Sequence, residues 1–346
     1  ETNFWHRGCW LAFFPKLVSG PIEREGQFFP QMKKLSVIKF WNRGRLSAAF
    51  TYMLWGYFMK MVVADRIGPV VGPLFERPGG FDSFWLLLGA FLYSVQIYCD
   101  FAGYSYIAVG CAKLFGIEIM ENFRSPYMAV DIQDFWRRWH VSLSEWLRDY
   151  VYIPLGGNRK GVVRKNLNTM IVFIVCGMWH GAGLNFLAWG VLHGVYSVAD
   201  SLIKEWNKKG MAEKTPDQRK GTGCKRVITF SLTAFAWIFF RAGSLRSALL
   251  YVRHMVTAGF WPKRWAETAQ SLQLNAVEIS IIGVGMLGVW LVDRLCVREK
   301  MNLPMIIQQK TNGTRYFVFY LLLLSIFIFG VYGAGYHTEQ FIYMQF

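Results

Sequence analysis

The sequence predicts an all-α, polytopic integral membrane protein, a multi-span helical bundle with interfacial and re-entrant helices. Three observations lead there. The 346 residues are 53% hydrophobic and 17% aromatic, with 15 Trp, and only 17% are charged, against about a quarter in ordinary soluble domains. Several apolar runs approach the roughly 20 residues a helix needs to cross a bilayer. The period-2 alternation that marks a transmembrane barrel is absent, and lipid admits only helices or closed barrels.

Taken in order, the candidate spans are Leu46–Ala64, Phe84–Phe115 (long enough to tilt or break), Leu167–His180, Leu184–Ala199, Val227–Phe240, Ala276–Val292 and Tyr316–Ala334. Shorter or mixed segments, Phe4–Leu17, Ile67–Phe75, Val130–Tyr150 and Leu245–Ala258, read as interfacial or re-entrant. No repeat or low-complexity tract divides the chain, so residues 1–346 are expected to form one membrane-embedded domain. The chain starts at Glu1 with neither Met nor a signal peptide, so further residues are expected upstream.

A net charge of +16 raises nucleic acid as a partner. The basic residues, however, lie in loops between apolar runs, as topology-setting charges do. A lipid bilayer, not nucleic acid, is therefore the expected partner. Arg159, Lys160, Arg164 and Lys165 precede the apolar stretch that holds His180. Lys204, Lys208, Lys209, Lys214, Arg219, Lys220, Lys225 and Arg226 follow the next, and Arg294, Arg298, Lys300, Lys310 and Arg315 flank the last two. All three groups share one side if Leu167–Ala199 is a hairpin broken near Gly181-Ala182-Gly183, and the positive-inside bias makes that side cytoplasmic. Arg241, Arg246, Arg253, Lys263 and Arg264 then fall outside, against the bias.

Several chemistries lack their signatures. The six cysteines are scattered without CxxC spacing, forming neither a disulfide framework nor a zinc site. There is no phosphate loop GxxxxGK[ST], no HExxH helix and no GxSxG elbow. His140 and His180 with a carboxylate could hold a metal, but no close His pair accompanies them, so no metal is expected.

The histidines carry the strongest signal. A titratable side chain at membrane depth is costly and marks function by default, and imidazole exchanges protons near neutral pH. His140 lies in the run Asp134–Gly161, DFWRRWHVSLSEWLRDYVYIPLGGNRKG. There Trp136, Trp139, Leu143, Trp146, Leu147 and Tyr150 recur at steps of three and four, which predicts an amphipathic helix at or dipping into the interface. Asp134, Arg137, Arg138, Glu145, Arg148 and Asp149 cover its other face. The helix ends at Pro154, before the Gly156-Gly157-Asn158 turn. A plain interfacial anchor would look similar.

His180 sits in CGMWHGAG, Cys176–Gly183. Counted from Leu167 it is about 13 helical steps in, or roughly 20 Å at 1.5 Å per residue, inside a hydrocarbon core of about 30 Å. Gly177, Gly181 and Gly183 permit close approach of a helix or substrate, and Trp179 can wall a pocket. A helix-packing histidine is the competing reading. His193, in WGVLHG, is also intramembrane and is expected to be structural. Asp100, in CDFAGYSYIAVG, could orient a histidine, line a polar cavity or be a bonded structural carboxylate.

At these residues the chain resembles the membrane-bound O-acyltransferase family. The resemblance runs through Asp134–Gly161, MWHG and the terminal FIYMQF, with FFPKLVSGPIER (Phe13–Arg24) and CDFAGYSYIAVG (Cys99–Gly110) in support. It is most specific through Asp134–Gly161 and Gly177–Gly181 and weaker after Ser201. The bacterial branch that includes alginate O-acetyltransferase fits best. The D-alanine transferase of teichoic acid modification is a cousin, but YIPLGGNRKG looks more like the polysaccharide acetyltransferases. Members of this branch carry further N-terminal membrane helices.

The resemblance implies acyl transfer through a central funnel in the bacterial cytoplasmic (inner) membrane. The donor would be a cytoplasmic thioester, acetyl-CoA, with no bound cofactor. The acceptor would be an extracytoplasmic polysaccharide, alginate-like, or a partner protein that passes the acetyl group on. The family's invariant histidine falls on His180 and its second motif histidine on His140. Neutral His180 can act as general base, and His140 can position or polarise the donor carbonyl or complete a relay. Glycine N–H groups or Trp179 Nε1 could serve the oxyanion. Arg159, Lys160, Arg164 and Lys165 could hold CoA phosphates, or could only set topology. Alternatives are D-alanyl or other acyl transfer from a carrier-protein thioester, and, from other classes, a proton-coupled transporter or a scaffold in an export complex.

Overall fold

Residues 4–35, 41–210, 221–261 and 265–333 are described in the computed structural model. Expectations for Lys214, Arg219, Lys220, Lys263, Arg264, Ala334 and the FIYMQF terminus, and for the side chains of Lys208 and Lys209, lie outside the described residues. Every regular element among the described residues is helical. They are α1 (Phe4–Ala12), α2 (Glu25–Met32), α3 (Arg43–Tyr57), α4 (Asp65–Glu76), α5 (Ser83–Leu114), α6 (Ile132–Trp136), α7 (Val141–Leu147) and α8 (Gly161–His180). Then follow α9 (Leu184–Gly210), α10 (Thr222–Arg241), α11 (Leu245–Thr257), α12 (Trp265–Ser271), α13 (Ala276–Glu299), α14 (Leu303–Gln308) and α15 (Asn312–Phe329).

Seven helical stretches are long and apolar enough to cross a membrane: Arg43–Glu76, α5, α8, α9, α10, α13 and α15. Each coincides with one of the seven expected spans over its described residues. The protein is a multi-pass membrane protein. Helix starts follow local chemistry, since a side-chain oxygen at the N-cap satisfies an orphan N–H. Asn42 accepts from Arg45 N at 3.0 Å, Asn275 from Glu278 N at 2.9 Å and Asn302 from Met305 N at 3.0 Å.

Two expectations are corrected. Ile67–Phe75 is not a separate interfacial piece. It continues α3 through a π turn at Phe58–Ala64 into α4, and Ile67, Val71 and Leu74 are wholly buried. Lys60, Asp65 and Arg66 interrupt the apolar run in the sequence, but the fold neutralises them. Lys60 Nζ lies 2.7 Å from Asp65 and 2.6 Å from Asp100, and Arg66 forks onto Glu278 at 2.6 Å. Val130–Tyr150, in turn, is not one amphipathic helix. It is α6, a break at His140, α7 and a π turn at Arg148–Tyr152.

The core wraps α5, whose Tyr93, Cys99, Ala102 and Ala112 are fully buried. α3 and α4 pack along one flank of it, and α10 and α11 along another. α8 and α9 form the expected antiparallel hairpin, broken at residues 181–183. Its seam is made of glycines: a Cβ on Gly177 would stand 2.5 Å from Phe186 O, and one on Gly190 would collide with Phe173 O. Small residues at such crossings let backbones touch. The starts of α8, α10 and α15 and the end of α13 carry the basic groups at one end of the bundle. His180 and Arg241, ending α8 and α10, mark the other.

Candidate active site

The segment around His140 is held by a short backbone pairing. Arg124 N donates to Arg138 O and Val141 N to Asn122 O, both at 3.0 Å. Asn122 Oδ1 also accepts from the Ser142 hydroxyl at 2.6 Å, and the oxygen of that hydroxyl receives Ile22 N–H at 3.0 Å. Between these anchors His140 takes φ +43°, ψ +56°, a left-handed conformation that costs an L-residue roughly 1–2 kcal/mol. This kink ends one helical register and begins another, and turns the His140 side chain into the bundle, where it is 3% exposed. Its ring meets Phe101 of α5 edge-on at 4.9 Å and Trp179 of α8 at 6.2 Å. Burial pushes its pKa down to about 3, with the neighbouring His180 acting in the same direction, so the imidazole is neutral.

His180 is the last residue of α8. Its ring sits edge-on to Trp179 at 4.9 Å, to Trp189 of α9 at 5.1 Å and to Phe240 of α10 at 5.1 Å. Asn185, buried, donates to Ala242 O at 2.9 Å and so ties the hairpin corner to the end of α10. His180 is only partly buried, and Trp179 is 53% exposed. Because α8 begins at Gly161, six residues earlier than the apolar run suggested, His180 lies roughly 28 Å up its helix at 1.5 Å per residue. It thus stands at the far tip of the hairpin. Arg164 and Lys165 can open this helix because Lys165 reaches Ser201 at 2.6 Å and Glu205 at 2.7 Å on α9.

His140, Trp179 and His180 therefore come together, with Trp179 touching both imidazoles. The other expected residues do not join them. Asp100 is held by Lys60 on the α3–α4 side of α5. Arg159 and Lys160 are exposed just before α8, a full helix length from His180. His193 is completely buried in an aromatic sleeve, its Nδ1 accepting from Trp136 Nε1 at 3.2 Å and its ring stacked near Phe135 and Phe173.

Some contributors were not singled out from sequence. Trp189 stands between His180 and His193, with centroids 5.1 and 5.0 Å from theirs. Asn122 and Ser142 brace the kink; Asn122 lies outside every quoted motif, and Ser142, though inside the Asp134–Gly161 run, was not singled out. Lys60 did carry a signal: a lysine inside an apolar span is a functional or pairing flag.

The model of the membrane-bound O-acyltransferase family matches residues 10–242, a stretch that contains every residue of this cluster. The chain belongs to that family. It is 36% identical over 262 residues to the peptidoglycan O-acetyltransferase of Helicobacter pylori, covering 74% of this chain and 47% of that one. A probable alginate O-acetylase of Pseudomonas putida is 34% identical, covering 81% and 55%. The teichoic acid D-alanyltransferase of Bacillus subtilis is 30% identical, covering 66% and 59%. The chain spans about half the length of these membrane-bound O-acyltransferases.

Proposed function

We propose that this chain is the catalytic core of an O-acyltransferase that O-acetylates an exported polysaccharide. The acetyl group comes from acetyl-CoA on the cytoplasmic side of the bacterial inner membrane. The acceptor is an alginate-like polymer outside, or a partner protein that carries the acetyl group onward. The observation that carries this reading is the His140–Trp179–His180 cluster. One imidazole is buried on the re-entrant segment, the other sits partly open at the hairpin tip away from the basic loops, and a single indole touches both.

The chemistry follows. A hydroxyl attacks a thioester poorly unless a base takes its proton as the C–O bond forms. Neutral His180, on the open side, removes that proton. The tetrahedral intermediate collapses, the C–S bond breaks, and the imidazolium returns the proton to the departing thiolate. His140, on the donor side, hydrogen-bonds the thioester carbonyl or passes the proton. General acid–base assistance of this kind contributes about 10²–10⁴ in rate.

The likeness to a teichoic acid D-alanyltransferase supports a second reading, transfer of D-alanyl or another acyl group from a carrier-protein thioester. The two separate in one assay. The full-length protein in proteoliposomes is given radiolabelled acetyl-CoA or an acyl-carrier thioester, with polysaccharide acceptor. Label moving from acetyl-CoA supports the first reading. Label moving only from the carrier replaces it with the second, and silence with both donors refutes acyl transfer.

A further inference from the structure

A cavity of about 370 Å³ opens where the C-terminal ends of α5 and α13 meet the loop before α6. Its walls carry Arg124, Arg138, Lys300, Glu121, Tyr106 and Phe123. The charge balance is one-sided. Glu121, the one carboxylate in the lining, accepts hydrogen bonds from the Tyr52 hydroxyl and from the amide of Asn302, itself a lining residue. Arg138 is fixed in place by Asp134 at 2.8 Å and by Arg124 O at 3.3 Å. Arg124 and Lys300 have no ion-pair partner among the described residues, and both side chains are exposed. The arginines are clamped to each other through their backbones, since Arg124 N also donates to Arg138 O. Three cations thus converge on a cavity large enough for a phosphate ester and too small for a polymer chain.

The cavity also has a direction. Its inner wall, Phe123, packs edge-on against Phe101 at 5.0 Å, and Phe101 packs on His140 at 4.9 Å. A ligand anchored by phosphate at the rim lies two ring contacts from the buried imidazole. In the basic group at the start of α8, by contrast, two members are already held, Arg164 by Leu155 O and Lys165 by Ser201 and Glu205.

We infer that this cavity is a phosphate-ester site, set by Arg124, Arg138 and Lys300, on the donor side of the His140 kink. Two sources present that chemistry: the phosphates of the acyl donor, and the headgroup of an anionic lipid in the adjacent leaflet. The donor assignment rests on the acyl-transfer reading above, whereas the phosphate site does not.

The test pairs Arg124→Gln with Lys300→Asn in the full-length protein. Asn suits the left-handed backbone at Lys300, φ +55°, as a residue type enriched there. Neither side chain holds a partner that the fold depends on, so the double variant should fold; thermal unfolding checks it. Binding of coenzyme A and of pantetheine, which lacks phosphate, is measured in phosphatidylcholine nanodiscs. Retained phosphatidylglycerol is read by native mass spectrometry from mixed nanodiscs. A loss of coenzyme A affinity of about tenfold or more, with pantetheine unchanged, supports the site and assigns the donor. Unchanged coenzyme A binding with phosphatidylglycerol retention lost supports the site and assigns lipid. Both unchanged in a folded double variant overturns it. None of these readouts needs turnover, so failure of the acyl-transfer reading would show separately, in the labelled-acetyl assay.

Discussion

Gly177→Ala is the sharpest probe of how the fold sets the site. The methyl group would stand 2.5 Å from Phe186 O, where ordinary contact begins at 3.4 Å, so α8 and α9 must part by about 0.9 Å. The obstacle is helical backbone and cannot rotate away. Overpacking of this kind costs about 1–3 kcal/mol. His180 lies three residues further along α8, roughly 4.5 Å at 1.5 Å per residue, and its contact to Trp189 reaches across that same seam. Misplacing a reacting group by about 1 Å can cost on the order of 10²-fold in rate. The expected result is a folded, slightly less stable protein whose acetyl transfer falls roughly 10–100-fold, the upper end being the full cost of that displacement. The assay is labelled acetyl transfer in proteoliposomes beside thermal unfolding in detergent. A lower melting point with an unchanged rate would refute the reasoning, because the seam would then stabilise the hairpin without positioning His180.

Three further outcomes follow from the same structure. His140→Asn should keep the fold, since Asn tolerates left-handed backbone, and slow transfer on the order of 10-fold or more as a base or donor is lost. Because burial pushes the His140 pKa down to about 3, the wild type and this variant should have the same shape of pH–rate profile between about pH 8 and 5; a limb near the ordinary histidine value of about 6.5 present only in the wild type would contradict a neutral His140. Lys60→Met leaves Asp65 and Asp100 buried without their shared cation and should destabilise by about 3–5 kcal/mol. Adding Asp100→Asn should restore part of that in thermal unfolding, and an unchanged midpoint in the single variant would count against the triad. Trp136→Phe strips the donor from buried His193 Nδ1 and should cost about 1–3 kcal/mol while leaving KM for the donor unchanged; a KM effect would instead bring His193 into the binding site.

Hydropathy alone gives the spans, because a helix in lipid must be apolar over its length whatever it packs against. It misjudges α4, where Asp65 and Arg66 look like the end of the Leu46–Ala64 span until Lys60 and the distant Glu278 are placed beside them. It also misjudges the His140 segment. Trp136 to Tyr150 keeps helical spacing on both sides of His140, but the two halves are separate helices joined by a left-handed residue. That kink is enforced by Asn122 and Arg124, whose pairing with the far side of the break leaves no local mark. His140 and His180 stand out because polar rings in apolar runs are rare. Their meeting through Trp179 is tertiary. The partners of Asp100, and the distance of Arg159 and Lys160 from the histidines, depend on helix phase and on where α8 begins.

The role of His180 as the base for acyl transfer at the hairpin tip is tested most directly by His180→Ala in the full-length protein. Sealed proteoliposomes receive labelled acetyl-CoA on the side of the basic loops and acceptor on the other. The expected result is a folded, inserted protein with transfer reduced about 10²-fold or more. Transfer within a few-fold of the wild type, from a variant that unfolds at the normal temperature, would contradict that role.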